Sequence, residues 1–175
     1  TGAISKVCCE LCQPFIRYER AIDNISNAFL IKKFSDLGNY ELTNKSILLA
    51  LGVRHLKEAL TIIRNSGAEV YARVLANPES IKMTLSSSIP EANFAILNPS
   101  VSSDGKIEKA LIRKWNIDGV VCRQSGGKNE ILWHQICSSM SINLWLLERP
   151  FKFKYINSID SYEKLIKRLK SISME

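Results

Sequence analysis

Histidine is scarce in this sequence: His55 and His134 are the only two in 175 residues. Nucleophilic catalysis normally sets a base beside the nucleophile, and no such pair can be picked out around either one. The G-x-S-x-G elbow of the esterases is absent. So is G-x-x-x-x-G-K-[ST], which excludes a P-loop. G-x-G-x-x-G is missing too, which removes the standard dinucleotide fingerprint. No apolar run reaches the ~18 residues that a membrane-spanning helix needs. Residues 1–12 lack the basic start and long apolar centre of a secretion signal. The expected compartment is the cytoplasm, with no membrane partner.

Disulfides are not expected either. The five cysteines are Cys8, Cys9, Cys12, Cys122 and Cys137. An odd number in a chain of this size argues for reduced thiols. Cys9 and Cys12 form C-x-x-C, but at the end of a helical stretch. A redox motif usually opens a helix, where the dipole lowers a thiol pKa. With His134 and Cys137 they could compose a Cys3His zinc site. Small buried thiols are the plainer account, and no metal is expected.

Basic residues are in excess: 24 Lys and Arg against 17 Asp and Glu give a net charge of +7. Such a balance suits polyanionic ligands, whether nucleic acid, an anionic membrane or a poly-carboxylate small molecule. The densest group, Lys164, Lys167, Arg168 and Lys170, falls on the polar face of the last helical pattern and reads as a solvated face. Nucleic-acid binding would call for clustered Lys and Arg among exposed aromatics. No such cluster lies outside that helix, so no nucleic-acid partner is expected.

Apolar residues make up 46 % of the chain, enough for a core of about one domain. Ile4, Val7, Cys8 and Leu11 mark one helical face at the very start. A helix with no strand before it suggests a piece of a longer protein. Residues 14–19 read as a short strand. Residues 23–40 are irregular, with a short strand at 29–32. The run at 46–51 (SILLAL) fits a strand buried on both faces, as in a parallel sheet. Leu56, Ala59, Leu60 and Ile63 then mark an amphipathic helix, which Gly67 stops. Strands follow at 69–75, 94–97, 120–122 and 143–147, with helices between them. Asn77 and Pro78 suit the cap and first turn of one helix. A last helix begins near Ser161.

Alternating strands and helices predict an α/β domain: a Rossmann-like open parallel sheet with helices on both faces, joined to a partial amino-terminal half. The irregular stretch at 21–44 sets the expected division, with residues 1–44 as remnant and connection and 45–175 as the α/β domain. In such sheets ligands bind outside the carboxyl ends of the strands. Those loops carry Gly52 and Arg54 with His55, then residues 75–79, then Asn98, Pro99 and Ser100. Next come Arg123, Ser125, Gly126, Gly127 and Lys128, and finally Arg149 with Pro150. Arg73 stands close by. Arg suits carboxylate or phosphate. Two glycines let the backbone approach an anion, and the helix start after them offers N–H groups. The site residues expected are Gly52, Arg54, Arg73, Arg123, Ser125, Gly126, Gly127, Lys128 and Arg149, with no catalytic residue identified. Replacing Arg73 by Ala or Gly126 by Val is expected to weaken ligand binding without unfolding.

Five short motifs stand in order along the chain. They are Pro14-Phe15-Ile16-Arg17-Tyr18-Glu19-Arg20, Leu48-Leu49-Ala50-Leu51-Gly52-Val53-Arg54, Ala72-Arg73-Val74-Leu75-Ala76-Asn77-Pro78, Arg123-Gln124-Ser125-Gly126-Gly127 and Leu147-Glu148-Arg149-Pro150. Together they resemble the precorrin-6A reductase family of cobalamin biosynthesis, including its cobalt-precorrin-6A branch. Arg123 stands where the family motif has Lys, and Ala21 and Ala76 where it has Pro. The family's opening strand and its G-G-T-x-E-A-like loop have no counterpart here.

The resemblance implies an oxidoreductase that uses NADPH to reduce one double bond of a tetrapyrrole poly-carboxylate. It implies two Rossmann-like halves with cofactor and substrate between them, and it assigns Arg54, Arg73, Ser125, Gly126 and Gly127 to the cleft. The alternative is a non-catalytic α/β module holding a nucleotide or anionic metabolite at the Ser125-Gly126-Gly127 turn.

Overall fold

The computed structural model describes residues 2–22, 27–98, 104–149 and 158–172. In chain order the elements are α1 (Gly2–Glu10), β1 (Arg17–Tyr18), β2 (Phe29–Ile31), β3 (Ser46–Ala50), α2 (Leu56–Asn65), β4 (Glu69–Leu75), α3 (Pro78–Leu85), β5 (Phe94–Leu97), α4 (Lys106–Lys114), β6 (Gly119–Arg123), α5 (Lys128–Met140), β7 (Asn143–Leu147), β8 (Ser158–Ile159) and α6 (Tyr162–Ile172). Short 3-10 turns precede α2 and β5, and another follows β2.

Two compact units result. One joins the chain ends, residues 1–23 and 150–175; the other is residues 24–149. This differs from the expected division at residue 44. The reason is β2, which pairs with β7 in the main sheet, while β1 pairs with β8. The carboxyl-terminal stretch therefore belongs with the amino-terminal one and not with the α/β domain.

The larger unit holds a six-stranded sheet in the order β2-β7-β6-β3-β4-β5, with every pairing parallel. Its central strands β3, β6 and β7 are apolar on both faces because both are covered. Ile47 and Leu49 of β3 pack with Leu56, Ala59, Leu60 and Ile63 of α2. Leu48 faces the other way, toward Ile112 of α4 and Trp133, Ile136 and Cys137 of α5. That alternation is the period of two along a strand. Gly119 opens β6 where a Cβ would run into the Trp145 ring, so β6 and β7 close together there only with glycine.

Local signals account for the helix boundaries. The Asn77 side chain accepts from Ser80 N at 2.8 Å, with Pro78 in the first turn of α3. Gly67, at φ +79°, ends the turn after α2. Ser141 ends α5 in the left-handed region. At the amino edge of the sheet, Asp118 accepts from Ser46 N at 2.8 Å and pairs with Lys45 at 3.3 Å. In the smaller unit, α1 buries none of its residues. Among the described residues no helix is long and apolar enough to cross a membrane.

Candidate functional site

The strand order carries the first argument. From β3 the chain proceeds outward through β4 to β5, then returns to the opposite side of β3 and proceeds through β6 to β7. The order therefore reverses between β3 and β6. Open α/β sheets bind ligands in the crevice outside the carboxyl ends of the strands at such a reversal. The loop after β3 leads to α2 on one face, and the loop after β6 leads to α5 on the other. Between them lie Gly52-Val53-Arg54 and Arg123-Gln124-Ser125-Gly126-Gly127-Lys128.

The side chains at this rim are accessible. Arg54, Arg123 and Lys128 are exposed, while Gln124, Ser125, Gly126 and Gly127 are half-buried. A Cβ on Gly52 would meet nothing within 4 Å, so the space beside it is open. The next loop along is tied in by hydrogen bonds. Gln124 N donates to Leu147 O at 2.9 Å, and Arg149 N donates to the Gln124 side chain at 3.3 Å. Glu148 N donates to Ile31 O at 2.8 Å, so the end of β2 adjoins the same loops.

Two exposed cations at the end of β2, Lys32 and Lys33, therefore share this edge of the sheet. The sequence marks a short strand at 29–32 but not its end at this rim, because nothing in so short a run tells that it pairs with β7. Pro99, Ser100 and Pro150, also expected at strand ends, lie outside the described residues.

The Gly-rich turn departs from expectation. Its amides are already engaged. Ser125 N makes a very short hydrogen bond to Glu130 Oε2, and Gly126 N donates to the same oxygen at 2.7 Å. Gly127 N donates to Ser125 Oγ at 3.3 Å. Glu130 is 4 % exposed, so this carboxylate is an interior group. Gly126 sits at φ +61°, the left-handed region that favours glycine.

A signal for this existed in the sequence. Glu130 is the third residue of α5, the position from which a capping box reaches back toward the preceding loop. Behind it, His134 is also buried, with Nε2 3.9 Å from Glu130 Oε1 and neither ring nitrogen hydrogen-bonded. Burial holds its pKa below the ordinary value, against the pull of Glu130. Burial likewise pushes the Cys137 thiol up to about 12 and raises that of Cys122.

Arg73 is placed differently from the other expected site residues. It lies within β4 and forms an ion pair with Glu108 of α4 at 3.1 Å; the two side chains are 12 % and 4 % exposed. Period-two alternation turns it to the α4 face of the sheet, together with Tyr71. Its guanidinium joins helix to sheet and is not held in a strand-end loop. Its burial against Glu108 ties this side chain to the packing of α4 on the sheet. A groove of about 470 Å³ between α2 and α3 holds two cations, Lys57 and Arg64, of which Arg64 donates to Ser88 Oγ and Ser88 O at 2.7 Å each. Among the described residues no three side chains are grouped to hold a metal ion.

An open parallel sheet with helices on both faces, and exposed cations on the loops at its switch point, defines a doubly wound α/β domain. The precorrin-6x reductase CbiJ/CobK family model matches residues 1–170, and the chain belongs to that family. A cobalt-precorrin-6A reductase of Synechocystis sp. is 27 % identical over 156 residues, covering 86 % of this chain and 58 % of the relative. One from Methanococcus maripaludis is 26 % identical over 168 residues, covering 91 % and 64 %. The solved structure of a CobK precorrin-6A reductase superposes with a TM-score of 0.72 at 14 % identity, over 96 % of this chain and 66 % of that one. At that identity the likeness is one of fold. The chain spans about three fifths of the length of the curated relatives it matches.

Proposed function

We propose that this chain carries the ligand-binding α/β domain of a reductase that uses NADPH to reduce a double bond of precorrin-6A or cobalt-precorrin-6A. The observation that supports this best is the group of exposed cations at the switch point, in a chain of this family. Arg54, Arg123 and Lys128 are exposed on loops at one edge of the sheet, and the space beside Gly52 is open. Arginine pairs bidentately with carboxylate or phosphate, and lysine as a point charge. A tetrapyrrole bearing several carboxylates and a dinucleotide bearing phosphates present such groups.

NADPH, when bound, supplies the hydride. The residues that would hold it are Arg54, Arg123, Lys128 and Ser125, with Gly52 and Gly127 admitting it closely. The Ser125 hydroxyl accepts from Gly127 N and keeps its own proton to donate. The protein's part is to orient two anionic molecules and to neutralise their charge. Arg149 adjoins the same loops through its backbone. A non-catalytic module with an anion seated on the turn amides is disfavoured, because Glu130 takes the amides of Ser125 and Gly126.

A thermal-shift titration of the chain with NADPH, with NADH as control, tests the cofactor reading. Saturable stabilisation by NADPH is expected. Equal response to both nucleotides would count against a preference for the phosphorylated one. Absence of any response would place cofactor binding outside these 175 residues.

A further inference from the structure

We propose that Glu130 is a positioning residue of the Gly-rich turn: its buried carboxylate fills the place of an anion inside the turn. Ligand contact is thereby left to the side chains around it, Ser125, Arg123 and Lys128. The inference rests on the cofactor reading above and adds a residue to it.

Three observations support it. Both turn amides donate to one oxygen, Glu130 Oε2. The side chain is 4 % exposed and arrives from within α5, on the protein side of the turn. The turn it closes includes Gly126 in the left-handed region, and successive amides of such a turn form a concavity suited to one anionic acceptor. A ligand anion that displaced this carboxylate would leave a buried charge with no partner: His134 Nε2, at 3.9 Å, is beyond hydrogen-bond reach and burial keeps it neutral. Stranding a buried charge is far more costly than losing two amide contacts to a ligand. The carboxylate therefore stays, and the turn is shaped before any ligand arrives. Pre-shaping of this kind lowers the ordering cost of binding.

Because one oxygen serves both amides, geometry and charge can be separated. Glu130→Gln retains an oxygen able to accept from both amides but has no charge. Glu130→Leu fills the same space and accepts from neither. NADPH affinity is measured on the chain and the two variants, with the exchange rates of the Ser125 and Gly126 amides and the melting temperature of each. Glu130→Gln is expected to stay within about threefold of the original affinity, and Glu130→Leu to lose about tenfold or more, with both amides exchanging fast. Rescue by Gln separates positioning from a general loss of stability.

Tighter binding by both variants would overturn the proposal, since Glu130 would then be competing with the ligand for the amides. Unchanged affinity in Glu130→Leu despite fast exchange would overturn it as well. If the unmodified chain does not bind NADPH, the cofactor reading fails on its own. The positioning role is then read from exchange alone, and amides still protected in Glu130→Leu would refute it.

Discussion

Glu108 and Glu130 occupy the same place in two neighbouring βαβ units: each is the third residue of its helix, and each is buried. Their partners differ. Glu108 meets the guanidinium of Arg73, from a strand next to the one its helix leads out of. Glu130 meets backbone amides of the turn that leads into its own helix. The first pairing ties a helix to a sheet across a long sequence separation. The second is local and fixes the shape of a loop. One buried carboxylate therefore serves the stability of the domain, and the other the geometry of its candidate site. Helix position alone does not decide which.

The contrast is broken most severely at Arg73. Arg73→Ala leaves Glu108 buried and uncompensated, and is expected to cost about 3–5 kcal/mol of folding stability in urea denaturation. The double change Arg73→Leu with Glu108→Leu should recover most of that loss, because the pair is replaced by packed apolar groups. At the turn the effect is smaller. Gly126→Val forces a β-branched residue to φ +61°, a strain of roughly 1–3 kcal/mol. Melting should shift modestly, while NADPH binding weakens by more than the melt alone would suggest.

His134 gives a third expectation, in pH. Its folded pKa lies below the ordinary 6.5 because burial disfavours the charged ring. The unfolded chain then binds more protons, so stability is full above about pH 6.5 and falls as pH drops toward the folded value. Melting temperatures from pH 8 to pH 5 should show that fall, and His134→Leu should flatten it. The smallest effect belongs to Lys45→Ala at the opposite edge of the sheet. Its pair with Asp118 is about half exposed, so the cost is about 0–1 kcal/mol, with ligand binding unchanged.

Much of the fold was legible in the residues. Apolar-rich runs bounded by Gly, Asn and Pro matched β4, β5 and β7 to the residue, and β3 and β6 within one. The central strands β3, β6 and β7 are buried almost throughout, which is why their sequences read as runs. The pairing of β1 with β8 was hidden, because two-residue strands have no pattern and their partners lie at opposite ends of the chain. The rim residues Arg54, Arg123 and Lys128 could be found from strand ends alone, since a parallel sheet gathers every carboxyl end on one edge. The partner of Arg73 could not. Period-two alternation tells which face a side chain takes, not which helix residue waits there.

The cysteines divide in the same way as the two units. Cys122 and Cys137 are buried in the larger one, with thiols held protonated, while Cys9 and Cys12 are exposed in the smaller. An alkylating reagent applied to the native protein thus modifies the smaller unit first. The delay before the two interior thiols react is a clock for the opening of the sheet, readable by mass alone and without any ligand.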